Sequence, residues 1–352
     1  MSYYRDDAHG YEGWESSNQR LLGCIPAKIQ AAKARERGEL SDEQQIARLA
    51  APWDKTNTPS IIQWDDKWRD WLKELAGAYD ILRDFGKLPP VWQIAKFYGY
   101  SLEELCGTRQ LINDCTAWGV TRASICLAIM QRWLGAEIQI DKYNPSGNYA
   151  YSSGYTPRAN ERVPDNGRTI YAAAKAACEA GNYTVADIGD YRGVAAYTPS
   201  MIKTAPDAQQ RQTGWVYLGD GYNGRELADI ILLSLRAGRP AIIGNTVALQ
   251  DGVEMTSDLV PVSRVGGGWG GGHCTAAVDV KKVNNAYYIW IYNSHGNLYK
   301  TNTNAPAAGT YITYDGLVKY LSGSYADVML TTYTESPHAG DNHNLNPEAA
   351  RA

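Results

Sequence analysis

Cys115, His273 and Asn293 occur in that order, in the contexts NDCTAW, GGGHCTAAVDV and YNSHG. Brought together, these three residue types make an activated thiol. A cysteine attacks a carbonyl only as thiolate, an imidazole takes and returns its proton, and an amide holds the ring in one tautomer and orientation. The separation of 158 positions from Cys115 to His273 means that only the fold can unite them, as in a two-subdomain molecule with its cleft between the halves.

Each residue sits where an element begins or ends. Trp118, Ile125, Ile129 and Trp133 recur at helical spacing after Cys115, with Asn113 or Asp114 as the N-cap and Gly135 as the stop. A thiol at a helix start gains from the partial positive charge there. The adjacent Asp114 opposes this unless its carboxylate is spent on capping. His273 opens the apolar run Cys274–Val280, and Asn293 closes Ala286–Tyr292; both runs read as strands. If Lys281–Asn285 form the connecting loop, Val280 faces Ala286 and Asn293 falls opposite His273. The segment Val265–Gly272, six of whose eight residues are glycine, reads as a flexible loop leading into the histidine. Glycine permits close approach of an extended peptide, so Gly268, Trp269 and Gly272 are candidate substrate-binding residues, with Trp269 covering an apolar side chain. It is not a phosphate loop, because no Lys-Ser/Thr follows and a strand comes next.

The residues around the triad resemble the papain-like cysteine peptidases. Cys115–Trp118 is similar to that family's Cys-Trp-Ala-Phe stretch, Gly272-His273 followed by Thr275–Val278 to its Gly-His strand, and Tyr292–Gly296 to its Asn-Ser-Trp-Gly motif. Leu235–Pro240 with Ala241–Gly244 also resembles the helix–turn–strand before its histidine hairpin. The resemblance covers roughly residues 101–333. It implies a helical subdomain carrying the cysteine and an antiparallel β subdomain carrying His and Asn, in the expected order and at somewhat more than the usual spacing. It implies a cysteine peptidase acting on a peptide or protein through a Cys115 thioester, with no cofactor or metal. The family's oxyanion-binding glutamine corresponds to Gln110, which stands one residue nearer the nucleophile than the pattern; Asn113 is the alternative. His295 occupies the position of the family's tryptophan, either shielding the His–Asn contact or facing solvent. The family's disulfide cysteines near the nucleophile lack clear counterparts. These departures point to a distant bacterial or phage-encoded branch.

Composition narrows the class. With 44% hydrophobic and 20% charged residues the chain is ordinary for a globular protein, and a net charge of −4 offers no general attraction to nucleic acid or anionic membrane. No apolar run is long enough for a membrane span. The start, MSYYRDDAHGYEGWE, has no basic segment followed by an apolar one, so the expectation is cytoplasmic synthesis without a signal peptide. None of the six cysteines forms a CxxC pair, which argues against structural zinc; Cys126 and Cys178 have buried-type neighbours. Tyrosines number 25 against 2 phenylalanines, which suits wet interfaces, a tyrosine-lined cleft or ordinary surface.

Along the chain, 26–50 reads as charged helix and Asp65–Phe85 as an amphipathic helix. Val91–Leu105 superficially resembles a DNA-binding helix-turn-helix, but its few basic residues favour two ordinary packed helices. Residues 143–168 read as irregular loop, Thr169–Ala180 and Leu227–Ala237 as helices, and Pro240–Gly244 as a strand. Weaker strands follow near Tyr311 and Val328–Tyr333. Helices first and strands later give an α+β fold. The expected organisation is a helical extension over 1–100, a peptidase domain over 101–333 and a flexible tail over 334–352. A reading from a different class is a structural or virion-associated protein on this fold, with weak or no activity and a protein assembly as its partner. A third gives the N-terminal segment an inhibitory role across the cleft.

Overall fold

The computed structural model describes residues 68–335, apart from 85, 108, 135–139, 141–143, 148–166, 180–183, 186–188, 192–210, 213–214, 219–221, 300–304 and 332–333. The charged helix expected over 26–50 lies outside them. So do most of the loop expected over 143–168 and all of the tail after Glu335.

Helices α1 (Trp68–Asp84), α2 (Val91–Phe97), α3 (Leu102–Cys106), α4 (Cys115–Trp133) and α5 (Ile170–Glu179) come first. After them come β1 (Arg211–Gln212), β2 (Trp215–Leu218), α6 (Gly224–Arg236), β3 (Ala241–Leu249), β4 (Glu254–Met255), β5 (Pro261–Val262) and β6 (Val265–Val283). The order closes with β7 (Ala286–Tyr292), β8 (Gly309–Thr313), α7 (Tyr314–Tyr320), β9 (Ala326–Thr331) and β10 (Thr334–Glu335). The architecture is α+β, as expected. Among the described residues one eight-stranded sheet runs β2-β9-β3-β6-β7-β8-β5-β4, and β1 pairs with β10 apart from it. Its ladders are antiparallel except β5 with β8.

Strand alternation divides the core. Ile242, Cys274, Ala276, Trp290, Tyr292 and Met329 face α2–α5, while Ala241, Ile243, Ala277, Ile289, Ile291 and Val328 face α1, α6 and α7. Both faces of the sheet are therefore covered. The helix α4 is buried on every side from Cys115 to Gln131, as a helix enclosed by others and a sheet must be. Its sequence meets this with small or apolar residues nearly throughout. The tyrosine load is partly interior: Tyr79, Tyr288, Tyr292, Tyr299, Tyr311 and Tyr320 are all buried.

Residues before 101 share these cores. Leu72 and Ala76 of α1 pack with α6, and Tyr79, Val91 and Ile94 join the cluster around α4. Arg83 donates to the carbonyls of Leu235 (2.9 Å) and Arg236 at the carboxyl end of α6, and Asp80 pairs with Arg236. Lysine or arginine at a helix carboxyl end satisfies carbonyls that the helix itself cannot.

Two expectations about the hairpin are corrected. The connection is the two-residue turn Asn284-Asn285, both at positive φ (47° and 69°), and the strands continue through Lys281–Val283. Such a turn fits the right-handed twist of paired strands and suits asparagine. The ladder also carries a bulge, since Ala277 pairs with Ile291 but Asp279 with Trp290, leaving Val278 extra. Val280 consequently faces Ile289, not Ala286, and the last pair before the site is Ala276 with Tyr292. The glycine run is the second correction: it forms the first half of β6 and pairs with β3 (Gly268 with Val247, Val265 with Leu249). Register shifts on both sides of Val247 and a φ of +72° at Gly267 show why the segment needs glycine.

Candidate active site

The helix α4 starts at Cys115, which is completely buried. Asp114 is its N-cap residue, but its side chain makes no capping hydrogen bond. Tyr191 stands against it: burial first, and then the Asp114 charge, push the Tyr191 phenol well above its usual pKa. The same hydroxyl accepts from the Leu111 N–H at 2.8 Å, and the Tyr191 ring meets Trp118 edge-on at 5.0 Å. Tyr191 thus holds the approach to the cysteine in place. No sequence signal marked it.

The helix reaches the histidine strand through a glycine. A Cβ placed on Gly119, one turn after Cys115, would lie 2.7 Å from Cys274 Sγ and 3.2 Å from Ile242. A larger side chain would displace the Cys274 sulfur or the helix itself, so the first turns of α4 lie directly on β6, beside His273. His273 is buried and pairs across the sheet with Asn245, whose amide nitrogen donates to the Tyr320 carbonyl at 2.7 Å.

His273 Nε2 and Asn293 Oδ1 are 2.8 Å apart. Because the register is not the one expected, this bond runs diagonally past the end of the ladder. Asn293 is fixed on all sides. Its Oδ1 also accepts from the Ser294 N–H (2.7 Å), its Nδ2 donates to Tyr299 Oη (2.8 Å), and its N–H donates to the Ala308 carbonyl (2.9 Å). The Ser294 N–H can only donate, so it decides which way the amide faces: Oδ1 lies toward Ser294 and His273, and Nδ2 toward Tyr299. With Nε2 committed to Asn293, Nδ1 is the nitrogen through which His273 can take and return a proton.

Gln110 is buried between the cysteine loop and the asparagine. Its N–H donates to the Ser294 carbonyl (2.8 Å), its Nε2 donates to the Ile112 carbonyl (3.0 Å), and its Oε1 accepts from Ser294 Oγ. Asn113, the alternative oxyanion donor, is half-buried. His295 is buried and lies flat on His273, with ring centroids 4.0 Å apart and 24° between the planes. Of its two expected placements, the shielding one is found. Gly268, Trp269 and Gly272 lie on β6 on the approach to His273.

Arg122, two turns after Cys115, is a site neighbour that sequence reasoning missed. It is buried and donates to the carbonyls of Gly107 (2.8 Å), Cys106 (3.4 Å) and Asn293. Among the described residues no group of three or more His, Cys, Asp or Glu is arranged to hold a metal ion, and no helix is long and apolar enough to cross a membrane.

No protein-family model matches the chain, and no curated protein matches it. Solved structures do. The chain is similar to xylellain, a cysteine protease from Xylella fastidiosa, at 15% identity over 64% of this chain and 82% of that one, with a TM-score of 0.41. It is similar to procathepsin B from Trypanosoma congolense at 12% identity over 81% and 85%, with a TM-score of 0.42. It is also similar to the clostridial cysteine protease Cwp84, at 14% identity over 69% of this chain and 57% of that one, with a TM-score of 0.44.

Proposed function

We propose that the chain is a papain-like thiol hydrolase that cleaves peptide bonds through a thioester on Cys115. The observation that carries this is the His273–Asn293 hydrogen bond, made at the strand ends on which the Cys115 helix is seated. In this reading Cys115 Sγ attacks the substrate carbonyl and His273 Nδ1 receives the thiol proton. The oxyanion takes hydrogen bonds from the Cys115 N–H, at a helix start whose N-cap side chain makes no capping bond, and from Gln110 or Asn113. His273 returns the proton to the leaving amine. Water then attacks the thioester with His273 as base, releasing the acid and restoring the thiol. Asn293 keeps the imidazole turned toward the sulfur. The glycine-rich half of β6, with Gly268, Trp269 and Gly272, would lie along an extended peptide.

The test is labelling of the native protein with an epoxysuccinyl-peptide electrophile, mapped by mass spectrometry, in wild type, His273→Ala and Cys115→Ala. Modification confined to Cys115 and lost in His273→Ala is the expected result, together with turnover of a peptide substrate that Cys115→Ala abolishes. Equal labelling of several cysteines, or turnover that survives Cys115→Ala, would refute the reading.

A further inference from the structure

We infer that Arg122 is a positioning residue of this site, acting through the main-chain carbonyl of Asn293 to keep the nucleophile helix and the His–Asn pair in register. The inference rests on the thiol-hydrolase reading of Cys115, His273 and Asn293.

Arg122 is about 1% exposed, and among the described residues no carboxylate forms an ion pair with it. A buried cation without such a partner is strongly disfavoured unless its donors and charge are satisfied otherwise. Here they are. Three of its N–H groups meet the carbonyls of Cys106, Gly107 and Asn293, and its guanidinium lies over the Trp118 ring at 4.7 Å and the Tyr292 ring at 4.1 Å. Two of those carbonyls close α3; the third belongs to the residue that holds His273. Lysine gathers its three donors on one nitrogen, whereas the planar fork of arginine spreads its donors to reach carbonyls of two segments at once.

Position gives the arrangement its consequence. Arg122 is seven residues beyond Cys115 on the same helix, about 10.5 Å along it and on nearly the same face. The other bonds to Asn293 come from Ser294, Tyr299, Ala308 and His273, all in the sheet half of the molecule. Arg122 alone among them carries the bond back to α4. If that bond is lost, Asn293 and His273 can shift together relative to Cys115 without breaking any contact between themselves. A hydrophobic residue would fill the space but leave the carbonyl untethered.

The experiment uses the full chain and needs no substrate. The rate of Cys115 alkylation by iodoacetamide is measured for wild type, Arg122→Lys, Asn293→Ala and the double variant, with Arg122→Gln as a second probe that keeps a donor in the space. His273→Ala defines the part of the rate that depends on the imidazole. Each single change is expected to lower that part about tenfold, and the double variant no further, because both act on one arrangement. Thermal unfolding reports stability separately. In ¹⁵N-histidine-labelled protein, the His273 ring resonances of Arg122→Lys are expected to move as they do in Asn293→Ala. Wild-type alkylation in Arg122→Lys and Arg122→Gln, losses that multiply in the double variant, or unmoved His273 resonances would overturn the inference. If wild-type alkylation proves independent of His273, the hydrolase reading fails, and the ring resonances still decide whether Arg122 positions the pair.

Discussion

The imidazole of His295 rests on the imidazole of His273, centroids 4.0 Å apart, with neither ring reaching solvent. A flat ring in that place excludes water from the His273–Asn293 bond and limits how far His273 can tilt. His295→Ala opens a void beside the His273 imidazole. We expect kcat on a fluorogenic peptide to fall about tenfold with little change in KM, since the lost contact orients a reacting group and does not bind substrate. His295→Trp, which restores a flat ring, should recover most of the loss. An alanine variant with wild-type kcat would end this interpretation.

Tyr299 Oη accepts from the Asn293 amide and helps hold it in place. Tyr299→Phe removes the acceptor for Nδ2 and strands a buried donor, at a cost of about 1–3 kcal/mol. Urea unfolding should show that loss of stability, and kcat should fall as the amide becomes free to turn. Equal stability of variant and wild type would mean that another group accepts from Nδ2.

Gly119→Ala puts a methyl group 2.7 Å from Cys274 Sγ. The Cys274 side chain or the helix must then give way, at a cost of about 1–3 kcal/mol, and a shifted helix carries Cys115 away from His273. Cys274→Ala removes the obstructing sulfur, so Gly119→Ala/Cys274→Ala should regain part of both stability and activity. The decisive measurement is the double-mutant cycle on melting temperature and kcat; strictly additive losses would show that the contact is not what the glycine serves.

Asp279 is half-buried at the bulge of β6, where it accepts from the N–H groups of Val91 (3.1 Å) and Val280 (2.7 Å). Burial pushes its pKa up from 3.8 to about 6, outweighing Arg83 and these hydrogen bonds. Because the folded value lies above the unfolded one, the folded state binds the extra proton between pH 4 and 6. The resulting stabilisation is complete below pH 4 and disappears as pH rises through 6. At pH 7 the ionised carboxylate therefore costs about 3 kcal/mol relative to its protonated form. Asp279→Asn cannot ionise. Its stability relative to wild type should improve by that order between pH 4 and pH 7 in denaturant titrations; a constant difference across the range would contradict the assignment.

The sequence disclosed the parts of the site better than their fit. A cysteine at a helix start, a histidine in a strand and an asparagine just past the next strand are each marked by local periodicity, and all three lie where expected. The hairpin register was wrong in its details, because Val278 bulges and Asn284-Asn285 turn more tightly than the assumed loop. Period-two reasoning cannot see an inserted residue. The glycine run was misread because glycine signals permissiveness, and pairing with β3 is a long-range choice. Short elements such as β2 and α7 carry too few residues to show a period. Arg122 was invisible for another reason: inside a helical pattern an arginine reads as an exposed residue, and only the convergence of three carbonyls makes burial tolerable.

The packing of α1 has a consequence for any maturation of this chain by cutting. Arg83 closes the end of α6, and Tyr79, Leu72, Val91 and Ile94 fill both cores. A protease that trims an N-terminal segment must stop short of Trp68 if the product is to keep its interior. A polypeptide begun at residue 101 would not be the same fold unmasked. It would be that fold with part of its inside taken away.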